Sequence, residues 1–458
     1  MARLPLFNVQ RLTALLRSRA PVGVTELAAA MGVKRTTVQH RLAGLGPDLV
    51  KMGASRRICY ALRRSLRDLG NQWPIWRIDE RGNACEWVRL EAFHDRLWRV
   101  AWPTWAPAWA RHFSNPEGLW QGFPFFLADG RPQGFLGQAI ARNCSRSLQV
   151  PEDLQQWGDD DTVAFMHHEG VDLPGNLVCG GDCLQQALAR IQVPTRDEEP
   201  SYAQRAAQAA ERMPGTSVGG VQPKFAVATL APDGAVRHLL VKFSPTLDQA
   251  TGRRWADLLL AEAHAHAVLA GAGLALPGTR VLDQGGRRFL EVPRFDRTAG
   301  GGRLGTVSLA ALHSAAVGVP HRGWTAAVEA LRQAHLTDKR AVKTARRLET
   351  FGGLIGNTDM HAGNLSFWLD SRLPFQVAPA YDMLPMLWAP GPQGELSKRR
   401  FAPPAPSATL REEWQEVAGW AEAFWRGLLD EPRLSREFAG LAESALATVV
   451  AMSGTRGR

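Results

Sequence analysis

Three polar side chains in the last third of the chain have the order and spacing that phosphoryl transfer requires. Four residues separate Asp359 from Asn364 within the stretch 356–364 (GNTDMHAGN), and Asp382 follows about twenty positions later, directly after Tyr381. One carboxylate must accept a hydroxyl proton, while an amide oxygen and a second carboxylate hold Mg²⁺ on the phosphates of a nucleotide. The sequence therefore predicts an enzyme that uses ATP and Mg²⁺, with Asp359 as the base and Asn364 and Asp382 as metal ligands.

Three upstream segments supply other parts of such a site. Residues 217–224 (SVGGVQPK) contain paired glycines, whose backbone N–H groups can converge on phosphate oxygens, and a lysine that adds a cation. Lys242 ends an apolar strand pattern and can neutralise α- and β-phosphates, with Glu262 as an ion-pair partner. Residues 293–296 (PRFD) form a connector whose backbone can hydrogen-bond adenine. A turn, an edge lysine and a solvated glutamate are the ordinary alternatives, but the order of the segments favours phosphoryl transfer.

The net positive charge of the chain comes entirely from its first residues. The net charge is +10, and residues 1–68 account for all of it, with 13 Lys and Arg against three acidic residues. A single basic module attached to a neutral body indicates a domain that binds a polyanion.

The pattern of residues 1–68 predicts a winged helix-turn-helix. A helical period covers residues 7–17, Thr25 is the expected cap of a second helix that runs to Met31, and residues 34–42 form the recognition helix. Two strands at 49–52 and 57–62 form the wing. A protein-interaction module is the alternative use of this fold. The residues predicted to contact DNA are Lys34, Arg35, Thr37, Gln39 and Arg41 on the helix and Arg56 and Arg57 on the wing.

The remaining chain predicts an α+β, bilobal, protein-kinase-like body. Eight of the sixteen tryptophans lie between Trp73 and Trp120, where core packing in a small sheet is favoured over a stacking platform. Residues 126–137 predict a hairpin. Strands at 224–230 and 238–243, a helix at 255–271 and a hairpin arm at 285–292 precede a mainly helical part. The predicted domains are residues 1–68, a β-rich lobe at 69–305 and a helical lobe at 306–458.

Cysteine usage and hydropathy predict a cytoplasmic protein with no membrane segment. The five cysteines are odd in number and scattered, and no run of eighteen apolar residues occurs. Cys179 and Cys183 lack zinc-ribbon spacing, and His167 and His168 have no nearby partner for a metal, so both pairs are interpreted as structural.

These motifs closely resemble the HipA family of toxin serine/threonine kinases, and the fused N-terminal module resembles the YjjJ-type branch of that family. The resemblance rests on residues 216–224 (TSVGGVQPK), 240–242 (LVK), 294–297 (RFDR), 356–361 (GNTDMH) and 381–382 (YD). It implies autophosphorylation at Ser217, Lys242 as the nucleotide-binding lysine and Asp359 as the proton acceptor. The implied ATP-binding residues are Gly219, Gly220, Val221, Gln222, Pro223 and Lys224 in the phosphate loop, Pro293, Arg294 and Phe295 in the hinge, and His361, Asn364, Tyr381 and Asp382. Gly363 departs from the family, which commonly has lysine at that position.

Two alternatives to a protein kinase stay open at this point. A small-molecule kinase of the aminoglycoside-phosphotransferase sort has the same Asp-to-Asn geometry, and a transcription regulator could sense a nucleotide without catalysis. On the main interpretation the substrate is a protein, for which a translation factor or an aminoacyl-tRNA synthetase is a candidate. Residues 1–68 would bind DNA and restrain the kinase in cis, and a homodimer is a further expectation.

Overall fold

The computed structural model describes residues 8–103, 105–192, 201–211, 222–230, 235–397, 399–405 and 411–454. Along this part of the chain, a small N-terminal module precedes a middle region with its own sheet, then a second sheet and a helical half. No helix of the described residues is long and apolar enough to cross a membrane. All five cysteines are free thiols.

The N-terminal module (residues 9–62) is three helices packed on a three-stranded sheet. Its elements are α1 (Val9–Ser18), β1 (Val22–Gly23), α2 (Val24–Met31), α3 (Arg35–Leu42), β2 (Leu49–Met52) and β3 (Cys59–Leu62). The sheet order is β1-β3-β2. Leu12, Leu16 and Val38 are completely buried between the helices and the sheet. Gly32 ends α2 in the left-handed conformation, with φ of +67°, as the predicted turn requires.

Two details of this module were predicted wrongly. The second wing strand begins at Cys59 and not at residue 57, because residues 55–57 form a 3₁₀ turn. Helix α2 begins at Val24 with Gly23 as its N-cap, so Thr25 lies inside the first turn and does not cap the helix. The chain enters α2 directly from β1, and this short strand pairs with β3. The strand pairing therefore decides where the helix begins, one residue before the threonine.

The middle region (residues 72–192) is built on a five-stranded antiparallel sheet of order β7-β6-β5-β4-β8. Its elements are β4 (Gln72–Ile78), β5 (Ala84–Ala92), β6 (Leu97–Ala101), α4 (Ala110–Phe113), β7 (Leu119–Gln121), α5 (Phe125–Ala128), α6 (Gly134–Leu148), α7 (Asp159–Glu169), β8 (Leu177–Cys179) and α8 (Gly181–Gln192). Trp73, Trp98, Trp109 and Trp120 are at most 3% exposed, so half of the eight clustered tryptophans are core residues, whereas Trp105 is 56% exposed.

The hairpin predicted for residues 126–137 is wrong, because α5 and α6 occupy this stretch. Three consecutive side chains, Phe125, Phe126 and Leu127, are buried, whereas a half-buried strand would bury alternate residues. The turn residues at 129–133 therefore connect two helices. A short apolar run beside a turn signal fits either element when no packing partner is known.

The second sheet has the order β11-β12-β10-β9, with every pair antiparallel. Its elements are α9 (Tyr202–Glu211), β9 (Lys224–Leu230), β10 (Val236–Phe243), α10 (Ala250–Gly271), β11 (Arg280–Gln284) and β12 (Arg287–Pro293). The predicted strands and hairpin arm are confirmed, and the predicted helix is five residues longer at its start. Helix α10 packs on this sheet through Leu259, which is buried with Leu290 and Val292.

The helical half contains the element that carries the candidate catalytic loop. Its elements are β13 (Thr306–Ser308), α11 (Leu309–Ala316), α12 (Trp324–Gln333), α13 (Lys339–Ile355), β14 (Ser366–Trp368), α14 (Arg411–Leu429) and α15 (Arg436–Gly454). Helix α13 has an apolar face at Leu348 and Phe351 that is completely buried, along with Phe424 and Trp425 of α14. This packing holds the end of α13, from which the catalytic loop leaves.

Candidate active site

Lys242 of β10 joins the second sheet to both candidate acidic partners. Its Nζ lies 2.5 Å from Oε1 of Glu262 on α10 and also donates to Oδ1 of Asp382. Lys242 is 3% exposed and Glu262 is completely buried. Burial opposes the charged ammonium, but the Asp382 and Glu262 carboxylates outweigh it and raise the pKa of Lys242. The lysine therefore stays charged inside the protein.

Asp382 lies in the field of two lysines. Lys224 is directly opposite Lys242 in the ladder of β9 and β10, so the two side chains share one face of the sheet. Burial acts to raise the pKa of Asp382, but Lys242 first and then Lys224 lower it well below its usual range. Asp382 also has a φ of +54°, an uncommon conformation for a residue with a side chain. Such a fixed carboxylate is suited to holding a cation on phosphates.

The catalytic loop begins where α13 ends at Gly356, which has a φ of +76°. Asn357, buried just after this turn, links the two acidic segments. Its Nδ2 donates to the carbonyl oxygen of Asp382 (3.2 Å), and its Oδ1 accepts from the backbone N–H of Asp359 (3.0 Å). The Asp359 side chain is exposed. Asn357 thus fixes the loop on its buried side, while the side chain of the candidate base, Asp359, is exposed.

The second half of the loop is bonded both to Asp359 and to the segment that contains Asp382. Asn364 Nδ2 donates to the carbonyl oxygen of Asp359 at 2.9 Å, which leaves Oδ1 as the amide atom available to a metal. The hydroxyl of Tyr381 donates to the carbonyl oxygen of Gly363 and shares a hydrogen bond with Ser366, both at 2.8 Å. The Tyr381 ring also stacks on Phe295, with centroids 5.7 Å apart and planes at 27°. Burial raises the pKa of Tyr381, so its hydroxyl keeps the proton that it donates.

The geometry of His361 explains the departure at Gly363. His361 Nδ1 accepts a hydrogen bond from the backbone N–H of Gly363 at 3.0 Å. A Cβ on residue 363 would lie 2.9 Å from the His361 ring, closer than real Cβ contacts occur. A lysine at this position would therefore require His361 to turn away, and glycine allows the histidine to fold over its own loop.

The predicted hinge is tied to the middle region. The backbone N–H of Arg294 donates to the carbonyl oxygen of His238 (2.9 Å), and its guanidinium bonds Asp296 and Asp172. These contacts commit the side chain of Arg294 to protein partners. Pro293 ends β12 opposite Leu239, and Phe295 is half-buried against Tyr381. The contribution of Pro293, Arg294 and Phe295 to adenine binding stays a prediction.

The first half of the predicted phosphate loop, Gly219, Gly220 and Val221, lies outside the described residues, as does the predicted autophosphorylation site Ser217. The structure begins again at Gln222, and the carbonyl oxygen of Pro223 accepts from the backbone N–H of Phe243 at 3.1 Å. The downstream end of the predicted loop is therefore next to the strand that carries Lys242.

The residues present fit Mg²⁺ held together with a nucleotide. Among the described residues, no group of three or more His, Cys, Asp or Glu side chains could hold a metal ion by itself. Mg²⁺ is usually bound through one or two protein oxygens, with substrate phosphates and water completing the shell. The amide oxygen of Asn364 and the carboxylate of Asp382 are hard donors of that kind.

The predicted DNA-contacting residues lie on α3 and beside the wing. Lys34, Arg35, Gln39 and Arg41 are exposed, while Thr37 is half-buried. Arg57 is exposed next to the wing, and the side chain of Arg56 lies outside the described part.

Sequence reasoning gave no site role to Asn357, Ser366 or Asp172. Asn357 belongs to the same motif as Asp359, so its position directly before the loop was the available signal. Ser366 and Asp172 carried no such signal, because each acts through a partner that is distant in the sequence.

The fold and this site define a HipA-type protein. The model of the HipA-like C-terminal domain matches residues 216–448, and that of the YjjJ-like toxin middle domain matches residues 69–188. The chain therefore belongs to the YjjJ-like toxins of the HipA type. It is 32% identical over 430 residues to toxin YjjJ of Escherichia coli strain K12, a match that covers 93% of this chain and 94% of that protein.

Two solved structures resemble this chain to different degrees. HipA of Shewanella oneidensis MR-1, solved in a complex with HipB and operator DNA, superposes with a TM-score of 0.51 at 16% identity and covers 82% of this chain and 96% of its own. This likeness confirms the predicted HipA-like α+β fold. The proinflammatory kinase CtkA of Helicobacter pylori has a TM-score of 0.36 at 13% identity and covers 53% of this chain and 94% of its own.

Proposed function

We propose that this protein is an ATP- and Mg²⁺-dependent serine/threonine protein kinase with a DNA-binding module in the same chain. The observation that carries the proposal is the linkage of three distant segments. Lys242 contacts Asp382, and Asn357 ties the backbone of Asp382 to that of Asp359. This linkage supports one site with a cation, a candidate metal-binding carboxylate and an exposed candidate base, which are the groups that transfer of a γ-phosphoryl group requires.

Each group has a defined task in the proposed reaction. The hydroxyl oxygen of the substrate bonds to the γ-phosphorus, the bond from phosphorus to the bridging oxygen breaks, and ADP leaves. Asp359 takes the hydroxyl proton, and Lys242 neutralises phosphate charge. Asn364 and Asp382 would hold Mg²⁺, which neutralises the phosphate oxygens when bound. Asp382 must then share its carboxylate between Lys242 and the metal.

Transfer of labelled γ-phosphate by wild-type and Asp359→Asn protein tests the reaction. Loss of a general base typically costs a factor of about 10²–10⁴, with nucleotide binding retained. Asp370→Asn, at an exposed aspartate on the loop after β14, is the matched control and should keep wild-type transfer. An Asp359→Asn protein that transfers phosphate at the wild-type rate would contradict the assignment.

Autophosphorylation at Ser217 is part of the proposal. Ser217 begins the glycine-containing segment, where a phosphate dianion would compete for the N–H groups that hold nucleotide phosphates. Phosphopeptide mapping after incubation with ATP should find label on Ser217 and none in a Ser217→Ala protein. Label transferred only to small molecules would instead support the aminoglycoside-phosphotransferase type of activity.

We further propose that residues 1–68 bind DNA and restrain the kinase in cis. The HipA relative was solved with HipB and operator DNA, and here a basic module is joined to the kinase-type body itself. Arg35→Glu should weaken DNA binding and reduce the slope of log K against log salt by about 0.9 for each phosphate that the protein no longer neutralises. Arg142→Glu, at an exposed arginine on α6, is the charge-matched control. Equal affinity of both variants for DNA would contradict the placement.

A further inference from the structure

Two depressions lie on either side of α11 and share its exposed residues Ala310 and Ser314. The smaller one, of about 320 Å³, is lined by Met360, His361 and Ala362, the residues that directly follow Asp359. The larger one, of about 810 Å³, lies between α11 and the middle region. We call the larger one the α11 cavity. Because both depressions include the same exposed residues of α11, a substrate polypeptide bound at Asp359 can continue across α11 into this cavity.

The α11 cavity is also connected to the catalytic loop from its other side. Gln133 lines the cavity, and its Oε1 lies 3.5 Å from the position of a Cβ on Gly363. Ser308, the N-cap of α11, is held by Asp129 of the cavity wall through two hydrogen bonds of 2.6 Å. The cavity and the loop that carries Asp359 are therefore parts of one packed unit.

Aromatic rings form much of the cavity wall. Phe113 and Phe123 are half-buried there. Phe113 is parallel to Trp120, with centroids 5.8 Å apart and planes at 1°, and its centroid lies 4.5 Å from that of Phe125. A rigid, partly exposed aromatic face of this kind favours a planar cation such as a guanidinium group, which stacks on aromatic rings more readily than an ammonium does.

The carboxylates of the cavity exceed its permanent cations. Asp129 and Asp159 line it, against Arg131, which donates to the carbonyl oxygen of Leu154. Within the sequence run 159–161 (DDD), Asp160 and Asp161 form ion pairs with Arg64 and Arg67. Asp159 forms no ion pair with a described residue. Partial burial and the adjacent Asp160 raise the pKa of Asp159, and Arg64, Arg96 and Arg131 act in the opposite direction without cancelling this rise.

We propose that the α11 cavity binds an arginine side chain of the protein substrate, with its guanidinium paired to Asp159 and stacked on the aromatic wall. This inference rests on the proposed kinase function and gives it a substrate class, namely serine or threonine proteins with an arginine near the accepting hydroxyl. A helix is about 10 Å across, and an extended peptide covers about 3.3 Å per residue. The arginine is therefore expected about three to five residues from the phosphorylated position.

A positional peptide library tests this specificity with the full-length protein. Each peptide has one central serine, and arginine, lysine, glutamate or alanine is placed at each flanking position in turn. The wild-type protein should favour arginine over alanine at one position by tenfold or more in kcat/KM, and lysine less strongly. Asp159→Arg should abolish this ratio and favour glutamate at the same position. Asp182→Asn, at an exposed aspartate on α8, is the matched control and should keep the arginine preference.

A second variant keeps the test decisive if Asp159→Arg does not fold. Ser314→Trp places a large ring on the exposed helix face between the two depressions, so it should also lower the arginine preference. Autophosphorylation of the wild-type protein separates the two levels of failure. A protein that labels itself but shows no arginine preference, or keeps that preference in both variants, overturns the cavity assignment alone. A protein that labels neither itself nor any peptide overturns the kinase proposal and this inference with it.

Discussion

Two acidic side chains, Glu262 and Asp382, share the positive charge of Lys242 in the candidate site. Glu262 is completely buried and accepts from Lys242, which also contacts the metal-binding candidate Asp382. Without Glu262, Lys242 would keep only Asp382 of these two carboxylate partners. The ion pair between Lys242 and Asp382 would then be stronger. On the proposed function, Glu262 would therefore be a positioning residue that lets Asp382 share its charge with a metal.

Glu262→Gln should raise the KM for Mg²⁺-ATP by about tenfold, which corresponds to about 1.4 kcal/mol. The reason is the stronger pairing of Lys242 with Asp382, which competes with the metal. The measurement is steady-state phosphate transfer at varied Mg²⁺-ATP. Glu291→Gln is the control, since Glu291 is equally buried in β12 but bonds Arg280 and Tyr202. An unchanged KM in Glu262→Gln, with fold retained, would contradict the positioning role.

His266 should make the stability of the protein depend on pH. Both of its ring nitrogens are buried without a hydrogen-bond partner among the described residues, and burial, with Lys242, lowers its pKa to about 4. Because the unfolded chain takes up this proton near pH 6.5, protonation favours unfolding as the pH falls from about 6.5 to 4. His266 should therefore remove about 3 kcal/mol of stability across that window.

Urea unfolding of wild-type and His266→Leu protein between pH 7 and pH 4.5 measures this contribution. The wild-type free energy of unfolding should fall more steeply with decreasing pH than that of the variant. The two should be similar at pH 7, because neutral His266 forms no hydrogen bond there with a described residue. Parallel pH profiles would show that His266 is not the titrating group.

At the level of elements, the connector after β12 is clamped to the middle region. Asp172 accepts from Arg294 (2.9 Å) and from Arg297 (2.7 Å), and Asp296 also bonds both arginines and the backbone N–H of Gly175. Arg297 is 9% exposed. The connector precedes β13 and contains Phe295, which stacks on Tyr381. The middle region thus fixes the segment between the second sheet and the helical half.

Asp172→Asn should loosen this clamp and raise the KM for ATP by about tenfold, with a decrease of about 2 kcal/mol in stability. The carboxylate is part-exposed and the other ion pairs remain, so the fold should survive. Nucleotide binding and urea unfolding measure the two effects. In the control Asp153→Asn, the changed carboxylate accepts from the backbone N–H of Gln155 and does not contact the connector. Unchanged ATP affinity in Asp172→Asn would show that the clamp serves stability alone.

At the scale of the whole molecule, the N-terminal module is packed on the middle region. Met52 and Ala61 of the wing strands share a buried cluster with Phe93, Leu97 and Leu119. Arg64 and Arg67 then pair with Asp160 and Asp161 at the start of α7. Removing residues 1–68 would expose this apolar surface. Point changes at the docking contacts, such as Arg64 and Arg67, are therefore the cleaner test of restraint in cis.

The double change Arg64→Ala with Arg67→Ala should partly release the module. The two pairs are part-exposed, so removing both should lower the docking free energy by about 1–2 kcal/mol. Hydrogen exchange of the backbone amides of residues 9–62 should then become faster, while exchange in α13 and α14 stays unchanged. Arg142→Ala is the control. Equal exchange rates in the double variant and the wild type would mean that the apolar cluster alone holds the module.

The sequence predicted local elements well where one periodic pattern dominates, as in β9, β10 and α10. Thr25 and residues 126–137 were predicted wrongly, because strand pairing in one case and burial of consecutive aromatic residues in the other decided the structure. The pairing of Lys242 with Glu262 was predictable from a strand followed by a helix. The role of Asn357 was within reach of the motif, but its bond to Asp382 depends on how two loops meet.

The order and spacing of Asp359, Asn364 and Asp382 determined the expected chemistry without any structure, since a base and a metal-binding amide on one loop, followed by a second carboxylate, is the order that phosphoryl transfer requires. The sequence alone likewise shows that residues 1–68 carry the entire net positive charge. Only the tertiary structure decided that Asp172 clamps the connector 122 residues away, and that Asp159 faces a cavity while its two neighbours are paired. Such contacts depend on how separate sheets and helices pack, and no local pattern along the chain encodes that packing.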